Sequence, residues 1–398
     1  MTPNLTLAGS YSEIDRDDWN ALAGESPDAS PMLRWEFLSG LEQTGCTTGE
    51  SGWQPIPLTA RDDAGELIGA VPLYAKGHSY GEYVFDWAWA DAYQRAGLNY
   101  FPKLLVAIPF SPIPSARLLV REALPQTRAA DRALAAKITL SSDDVRASLI
   151  AGLQDQVSSS GLSSAHVLFP NEHDLAALKA AGWLIRENVQ FHWQNPGYVS
   201  FDDYLAALTQ PKRKKVKAER RKVREANVST RMIDGPAITQ HELAFFYQCY
   251  ERTYFEHRST PYLSLAFFEH LRTSLPENIL LCIAEREGRP IAAAFFMYGN
   301  AVLYGRYWGA VERVDCLHFE VSYYSPIEWA ITKKIQRFEG GAQGEHKLAR
   351  GFEPVKTHSA HWLAEPRFKD AVARYLERES RGIEAYVNEL GDRSPLRA

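Results

Sequence analysis

The spacing of apolar residues changes along the first half of the chain from a helical to a strand pattern. Alternating apolar positions at 57–61 and 66–74, on either side of the turn sequence Asp62-Asp63-Ala64-Gly65, predict a β-hairpin. The stretch 83–89 predicts a third, aromatic strand, with Trp87 and Trp89 on one face. Helical spacing precedes these strands at 17–23 and 31–44.

The second half repeats this order. Two stretches with helical spacing, 239–254 and 264–274, are followed by a predicted three-strand meander at 280–285, 290–298 and 301–309. Other elements predicted from the pattern are helices at 143–158, 172–181, 319–338 and from 368 onward, and strands at 165–169, 184–193 and 353–363. The repetition favours tandem copies of one α/β domain, at 1–196 and 197–398.

A dense run of positive charge opens the second domain. The window 212–224 contains nine cations and one anion, Glu219. Pro211 suits the first turn of a helix, and Val216 and Val223 form a thin apolar stripe, so we predict a basic helix at about 211–227. A shorter helix before it has Ser200 as its predicted N-cap, with Asp203 three residues on.

This charge is local. The window carries +8 while the whole chain carries −5, which leaves −13 elsewhere, so we expect no general affinity for polyanions and no DNA binding. One interpretation is a solvated surface helix; the other is an anion site, because nine like charges repel one another unless a partner neutralises them. Phosphates of a cofactor, a lipid or RNA have the required charge.

Length and composition fit a soluble protein of two domains in 398 residues. The acidic first twenty residues contain no apolar run, which predicts neither a signal peptide nor a membrane helix, and we expect a cytoplasmic protein. The cysteines at 46, 249, 282 and 316 form no Cys-x-x-Cys pair, so neither a zinc knuckle nor a disulfide framework is indicated.

Several long motifs in fixed order carry a family resemblance. They are Ala70-Val71-Pro72-Leu73-Tyr74, residues 80–86, 99–104 and 109–112, the basic helix, Leu317-His318-Phe319-Glu320, and residues 341–347 with Ala349-Arg350-Gly351-Phe352. With these motifs, the chain resembles the FemAB-like proteins of peptidoglycan-biosynthesis type, a branch of the GNAT acyltransferases, along nearly its whole length.

The resemblance implies an α/β fold of two tandem GNAT-like domains, each a mixed, largely antiparallel sheet flanked by helices. It also implies an N-acyltransferase that moves an acyl or aminoacyl group to an amine by direct attack. The chain lacks the coiled-coil arm of some tRNA-dependent relatives, and between Tyr307 and Leu317 it lacks the glycine-rich pyrophosphate loop of ordinary GNAT enzymes. Acyl-CoA is the expected co-substrate, with aminoacyl-tRNA as the alternative donor, and no permanently bound cofactor is expected.

Acyl transfer to an amine needs a base and a proton donor. Glu345 or His346 is the candidate base, and Tyr307 or Tyr323 the candidate donor. His318 and Glu320 begin the helix after the second meander, where we expect them to face the same site. The spacing of the histidines and carboxylates matches no standard ligand motif, so no metal site is predicted.

Two further sets of residues are assigned to substrates. The candidates for donor phosphates are Lys212, Arg213, Lys214, Lys215, Arg220 and Arg221. Those for a groove holding the acceptor, whether a peptide, a lipid amine or a small molecule, are Trp87, Trp89 and Tyr100. The rival hypotheses are an aminoacyl-tRNA-dependent transferase acting on a cell-wall peptide precursor, and a non-catalytic protein whose basic helix contacts RNA or the membrane surface.

Overall fold

The structure is a computed structural model and describes residues 2–26, 28–121, 140–342 and 344–396. Contacts divide the chain into two compact units. Unit 1 comprises Met1–Glu187 and Thr357–Arg381, and unit 2 comprises Asn188–Lys356 and Gly382–Ala398. Each unit therefore combines two stretches of chain, while the domain limits 1–196 and 197–398 stay a prediction.

Unit 1 is built from two sheets and their covering helices. The strands are β1 (Asn4–Leu7), β2 (Trp53–Pro55), β3 (Leu58–Arg61), β4 (Leu67–Val71), β5 (Leu73–Lys76), β6 (Lys103–Val106), β7 (Leu119–Val120) and β8 (Ser164–Leu168). The helices are α1 (Arg16–Glu25), α2 (Trp35–Gln43), α3 (Trp87–Arg95), α4 (Ser142–Ser159) and α5 (Glu172–Ala180). Strand β9 (Leu184–Gln194) begins in this unit and ends in unit 2.

The predicted hairpin is confirmed, because β3 and β4 pair antiparallel across the Asp62–Gly65 turn. They form a small sheet in the order β1-β3-β4-β7. The strands β8-β6-β5-β2 form a second run of paired strands, with β8 and β6 parallel, and Ser359–Leu363 pairs antiparallel with the other edge of β8. Apolar residues of both sheets meet those of α4 in one core, where Leu149 and Leu153 are completely buried.

Unit 2 contains the basic helix and the second meander. Its strands are β10 (Val228–Asp234), β11 (Ile279–Arg286), β12 (Arg289–Gly299), β13 (Val302–Ala310) and β14 (Arg337–Glu339), followed by β15 (Phe352–Leu363), which ends in unit 1. Its helices are α6 (Phe201–Ala207), α7 (Gln210–Glu225), α8 (Gln240–Glu256), α9 (Leu265–Ser274), α10 (Leu317–Phe319) and α11 (Ser325–Thr332), and the final helix α12 (Pro366–Asp392) starts in unit 1.

The unit 2 sheet runs in the order β10-β11-β12-β13-β14-β9. The meander β11-β12-β13 is antiparallel as predicted, whereas β13 and β14 are parallel. Aromatic side chains of α8 and α9 cover one face, for example Phe246 against Phe295. The other face carries the main core, into which α7 inserts Val216 and Val223.

Helix α7 is the predicted basic helix. It follows α6, which begins with a capping box in which Ser200 and Asp203 satisfy each other's backbone N–H groups, as the sequence predicted. Pro211 lies in the first turn of α7, where its missing N–H has no consequence. The apolar stripe turns toward the core, and most of the cations lie at the surface, whereas Arg220 is partly buried.

Two predicted elements are wrong. The stretch 83–89 is a loop up to Asp86 followed by α3, so Trp87 and Trp89 do not share a strand face: successive helical residues rotate by about 100°, and Trp89 is buried while Trp87 is exposed. The helix predicted at 319–338 contains a π-helical turn at Glu320–Tyr324 and ends at Thr332. Lys334 then takes a left-handed conformation, and β14 follows.

Candidate functional site

The candidate site in unit 2 lies where two adjacent strands stop pairing. Strands β13 and β14 pair in parallel as far as Tyr304 and Glu339. The glycine-rich loop follows β14 directly and leads into a 3-10 helix, Glu345–Arg350. Gln343 of the motif at 341–347 lies outside the described residues. This loop holds His346 near the segment that carries His318 and Tyr323.

Three side chains form the centre of the site. The hydroxyl of Tyr323 lies 3.1 Å from Nε2 of His346, which is hydrogen-bonding distance. The rings of His318 and His346 have centroids 5.9 Å apart, and His318 lies 5.5 Å from Tyr323. His318 and His346, predicted from separate motifs, are thus brought together, and Tyr323 joins them as the predicted alternative donor.

Glycine at position 344 makes room for His346. A Cβ atom there would lie 2.5 Å from Cε1 of the His346 ring, far inside van der Waals contact. The backbone at Gly344 also has a φ of 117°, a conformation that L side chains rarely adopt. The position of the imidazole therefore depends on this glycine.

The surroundings of both imidazoles lower their pKa and so favour the neutral forms. Burial, and then the nearby His346, Arg350 and Lys347, lowers the pKa of His318 to about 3. The ring of His318 stacks on Trp308, with centroids 4.2 Å apart. Burial also lowers the pKa of His346, as do the cations of Lys347 and Arg350. Burial raises the pKa of Tyr323 to about 12, so its hydroxyl keeps its proton.

Two other candidates point elsewhere. Tyr307 alternates with Trp308 on β13 and packs on the opposite face of the sheet, with its ring 4.9 Å from that of Tyr250 in α8. The carboxylate of Glu345 accepts a hydrogen bond of 2.8 Å from the hydroxyl of Tyr386 in α12. Their catalytic roles stay predictions.

Glu320 is held by the basic helix. Nε of Arg220 donates to both of its oxygens at 3.1 Å, and Nη2 donates to Oε1 at 2.9 Å. Ser325 adds a hydrogen bond of 3.0 Å from its hydroxyl. Arg220 also bonds Glu328, so its guanidinium is already neutralised by two carboxylates.

A groove of about 830 Å³ runs along the basic helix. Its cationic wall is formed by Lys214, Lys217, Arg220, Arg221 and Arg224. Of the residues predicted to bind phosphates, Lys214, Arg220 and Arg221 line the groove, and Lys212, Arg213 and Lys215 do not. Lys217 and Arg224 were missed, although their helical spacing from Lys214 and Arg221 indicates the shared face.

The three residues predicted for the acceptor lie in unit 1. The hydroxyl of Tyr100 donates to Asp86 at 2.6 Å and lies 3.1 Å from Nε2 of His166. Trp89 packs its ring against His361, with centroids 4.8 Å apart. Trp87 remains at the surface, 42% exposed, against the ring of Tyr80.

Buried charges surround Tyr100. Lys103, with no exposed surface, binds Glu82 at 2.9 Å and also binds Asp86. The pKa of Glu82 is raised to about 7. Burial is the largest cause, Lys103 opposes it, and the charge of Asp86 adds to it. Nδ1 of His166 lies 2.7 Å from Nδ1 of His361. The sequence motifs 80–86 and 99–104 thus meet in one hydrogen-bonded cluster.

Within the described residues, no group of three or more histidine, cysteine, aspartate and glutamate side chains is arranged to hold a metal ion. In the same part of the chain, no helix is long and apolar enough to cross a membrane.

Comparisons with known proteins identify relatives. Residues 10–398 match the FemAB-like family, described as peptidoglycan biosynthesis/recognition. A search of curated protein sequences found no match. Among solved structures, FemX is similar with a TM-score of 0.53 and 10% identity, over 90% of this chain and 98% of FemX. L-PGS from Bacillus licheniformis is similar with a TM-score of 0.51 and 10% identity, over 91% of this chain and 97% of L-PGS. The predicted α/β fold, with mixed, largely antiparallel sheets flanked by helices, is confirmed, and FemX and L-PGS share this fold.

Proposed function

The chain belongs to the FemAB-like family, and on that premise we propose that it is an N-acyltransferase moving an acyl or aminoacyl group from a phosphate-bearing donor to an amine. Acyl-CoA is the preferred donor. The acceptor is a peptide, a lipid amine or a small molecule, and the reaction proceeds by direct attack of the amine on the acyl carbon.

The observation that carries this proposal is the connection between the cationic groove and the histidine pair. Arg220 lines the groove and bonds Glu320, which lies two residues after His318. Donor phosphates bound along Lys217, Arg221 and Arg224 neutralise the excess charge of the helix. The acyl end of the same donor then extends toward His346 and Tyr323.

In the proposed reaction the amine nitrogen forms the new C–N bond and the bond from the acyl carbon to the leaving group breaks. The proton lost by the amine passes to the neutral imidazole of His346. Tyr323 gives its hydroxyl proton to the leaving thiolate and recovers a proton from the imidazolium, since the two groups are hydrogen-bonded. The products are an amide and a free thiol, and both side chains return to their starting states.

The test is calorimetric titration with CoA, acetyl-CoA and palmitoyl-CoA at near-physiological salt. The double variant Lys217→Glu with Arg221→Glu reverses two groove charges, and we expect it to weaken CoA binding at least about tenfold. The matched control, Arg258→Glu with Lys334→Glu, makes the same change in net charge at exposed residues away from the groove. Equal binding by both variants, or no binding of any CoA species by the unmodified protein, would refute CoA as the donor.

The spacing of the groove cations favours one alternative donor, aminoacyl-tRNA. Lys214, Lys217, Arg221 and Arg224 recur at helical intervals over a span of about 15 Å, which matches several phosphates of an extended RNA backbone. If the donor is aminoacyl-tRNA, affinity falls steeply with salt, and the groove variant lowers that slope by about two.

A further inference from the structure

Glu219, the single acid inside the basic window, points into unit 2. The residue is 8% exposed, and its Oε2 accepts a hydrogen bond of 2.8 Å from Nη2 of Arg350. The hydroxyl of Tyr324 donates to the same oxygen. A buried carboxylate is unfavourable unless it is paired, so these contacts fix Glu219 firmly.

Arg350 is held on three sides. Besides Glu219, its Nη1 donates a hydrogen bond of 2.6 Å to the backbone carbonyl of His346. Its guanidinium carbon lies 3.4 Å from the centroid of the Phe319 ring. Arg350 is 1% exposed, so the planar fork has little freedom to turn.

We propose that Arg350 is a positioning residue, which holds His346 in the orientation where its imidazole meets Tyr323, and that Glu219 fixes Arg350 in turn. This positioning role rests on the proposed function, in which His346 is the base. Arg350 reaches both halves of the site, since it bonds the backbone of His346 and packs on Phe319, the neighbour of His318.

Consecutive residues of the basic helix therefore hold the two catalytic segments. Glu219 bonds Arg350 of the segment that carries His346, and Arg220 bonds Glu320 of the segment that carries His318. The helix whose outer face forms the donor groove thus sets the position of the base through its inner face.

If the ion pair between Glu219 and Arg350 only stabilised the fold, a different result would be expected. Replacing both members of a buried pair by apolar residues of similar size is often neutral for stability, whereas removing one member leaves a buried charge unpaired. The double variant Glu219→Leu with Arg350→Met therefore removes the guanidinium from His346 without leaving a lone charge. Arg350→Lys is the second variant, because a lysine keeps the charge but lacks the fork needed to reach both acceptors.

The first readout needs no substrate. In protein with isotope-labelled histidine, the His346 signal is assigned by comparison with His346→Gln and titrated with pH by NMR. The guanidinium contributes to the lowered pKa of His346, so we expect its midpoint to rise by about 0.5 pH unit or more in the double variant. The control, Arg286→Met with Glu312→Leu, removes an ion pair between β11 and the segment after β13, and we expect it to leave the midpoint unchanged.

The second readout is transfer kinetics. We expect kcat to fall about 10- to 100-fold in the double variant, with the donor KM changed less than about threefold and partial recovery in Arg350→Lys. An unchanged His346 titration and unchanged kcat in a folded double variant would overturn the positioning role. A shifted titration in a protein that transfers no acyl group would instead support the contact between Arg350 and His346 and refute the proposed function.

Discussion

At the scale of single residues, the site depends on small differences in where neighbouring side chains point. His346 faces Tyr323, while Glu345, one residue before it, turns toward Tyr386 of α12. Tyr307 and Trp308 are also adjacent, yet Trp308 stacks on His318 and Tyr307 packs beneath α8. Proximity in sequence therefore does not imply a shared role here.

The tyrosines provide a test of this arrangement. Tyr323→Phe removes the hydroxyl that meets His346, and we expect kcat to fall about 100-fold, in line with the loss of general acid catalysis. Tyr307→Phe changes a side chain on the far face of the sheet and is expected to keep kcat within about threefold. The measurement is steady-state kinetics with saturating donor, and a larger loss in Tyr307→Phe would place that residue at the chemistry after all.

A substitution at Gly344 tests the position of the His346 imidazole without changing any candidate catalytic side chain. Gly344→Ala places a Cβ atom at 2.5 Å from Cε1 of His346 and strains a backbone with positive φ. We expect lower kcat with little change in donor affinity. Gly65→Ala, in a turn with similar backbone strain but open space around it, is the control. Equal kinetics for both variants would show that the ring has room to move.

The sequence indicated some residues of the candidate site and missed others. The difference lies in what sequence patterns encode. His318, Tyr323 and His346 were candidates because their residue types suit proton transfer, and the structure brings the three side chains together, while their catalytic roles stay predictions. The ion pairs from Glu219 to Arg350 and from Arg220 to Glu320 were missed, since more than 90 positions separate the members of each pair. Tertiary packing decides which residues pair over such distances. From the sequence of the basic helix alone, all of its cations are equal candidates for binding phosphate.

At the scale of elements, the basic helix has two kinds of cation. Arg220 and Arg221 are neighbours in sequence, but Arg220 is bound to two glutamates while Arg221 is 65% exposed at its side chain. The apolar stripe of Val216 and Val223 sets this rotation, because it must face the core.

Glutamine substitutions should distinguish the paired cation Arg220 from the exposed cation Arg221. Arg220→Gln leaves the buried Glu320 without its main partner, so we expect the free energy of unfolding to fall by about 2 to 4 kcal/mol. Arg221→Gln should leave stability within about 0.5 kcal/mol and weaken donor binding instead. Urea unfolding and calorimetric titration of both variants measure the two effects. Equal stability of the two variants would contradict the structural role of Arg220.

Elements were predictable where local signals agree with tertiary demands. The hairpin β3-β4 and the meander β11-β12-β13 combine alternation with turn residues, and both formed as predicted. At 83–89, alternation of aromatic and small residues was misleading, because alanines favour the helix that begins at Trp87. The π-helical turn at Glu320–Tyr324 left no recognisable pattern in the sequence.

At the scale of the whole molecule, each unit buries a neutral histidine. Burial lowers the pKa of His166 in unit 1 to about 3, and burial, Arg337 and Lys347 do the same for His192 in unit 2. Because the folded pKa is lower than the unfolded value, the resulting stability is fully present above about pH 6.5 and is lost as the pH falls toward 3.

Acid should therefore destabilise the protein. Between pH 7 and 5 we expect each such histidine to contribute a loss of up to about 2 kcal/mol in the free energy of unfolding. Urea unfolding at a series of pH values measures the slope. His192→Gln keeps a hydrogen-bonding group that does not titrate, and we expect a shallower slope for it. In unit 1, Glu82 acts in the opposite direction, because its raised pKa gives stability that is present below about pH 4.5 and lost through pH 7.

The division of the chain between the units has a consequence for synthesis on the ribosome. Unit 1 contains the first 187 residues together with Thr357–Arg381, and its sheet includes the end of β15, where Ser359–Leu363 pairs with β8. His361, the partner of His166, also arrives with that strand. The sheet of unit 1 in the nascent polypeptide is therefore incomplete until residues 357–381 have been translated. We expect limited proteolysis of ribosome-bound chains stalled before residue 357 to cut unit 1 readily, and protection to appear once residues 357–381 have left the exit tunnel.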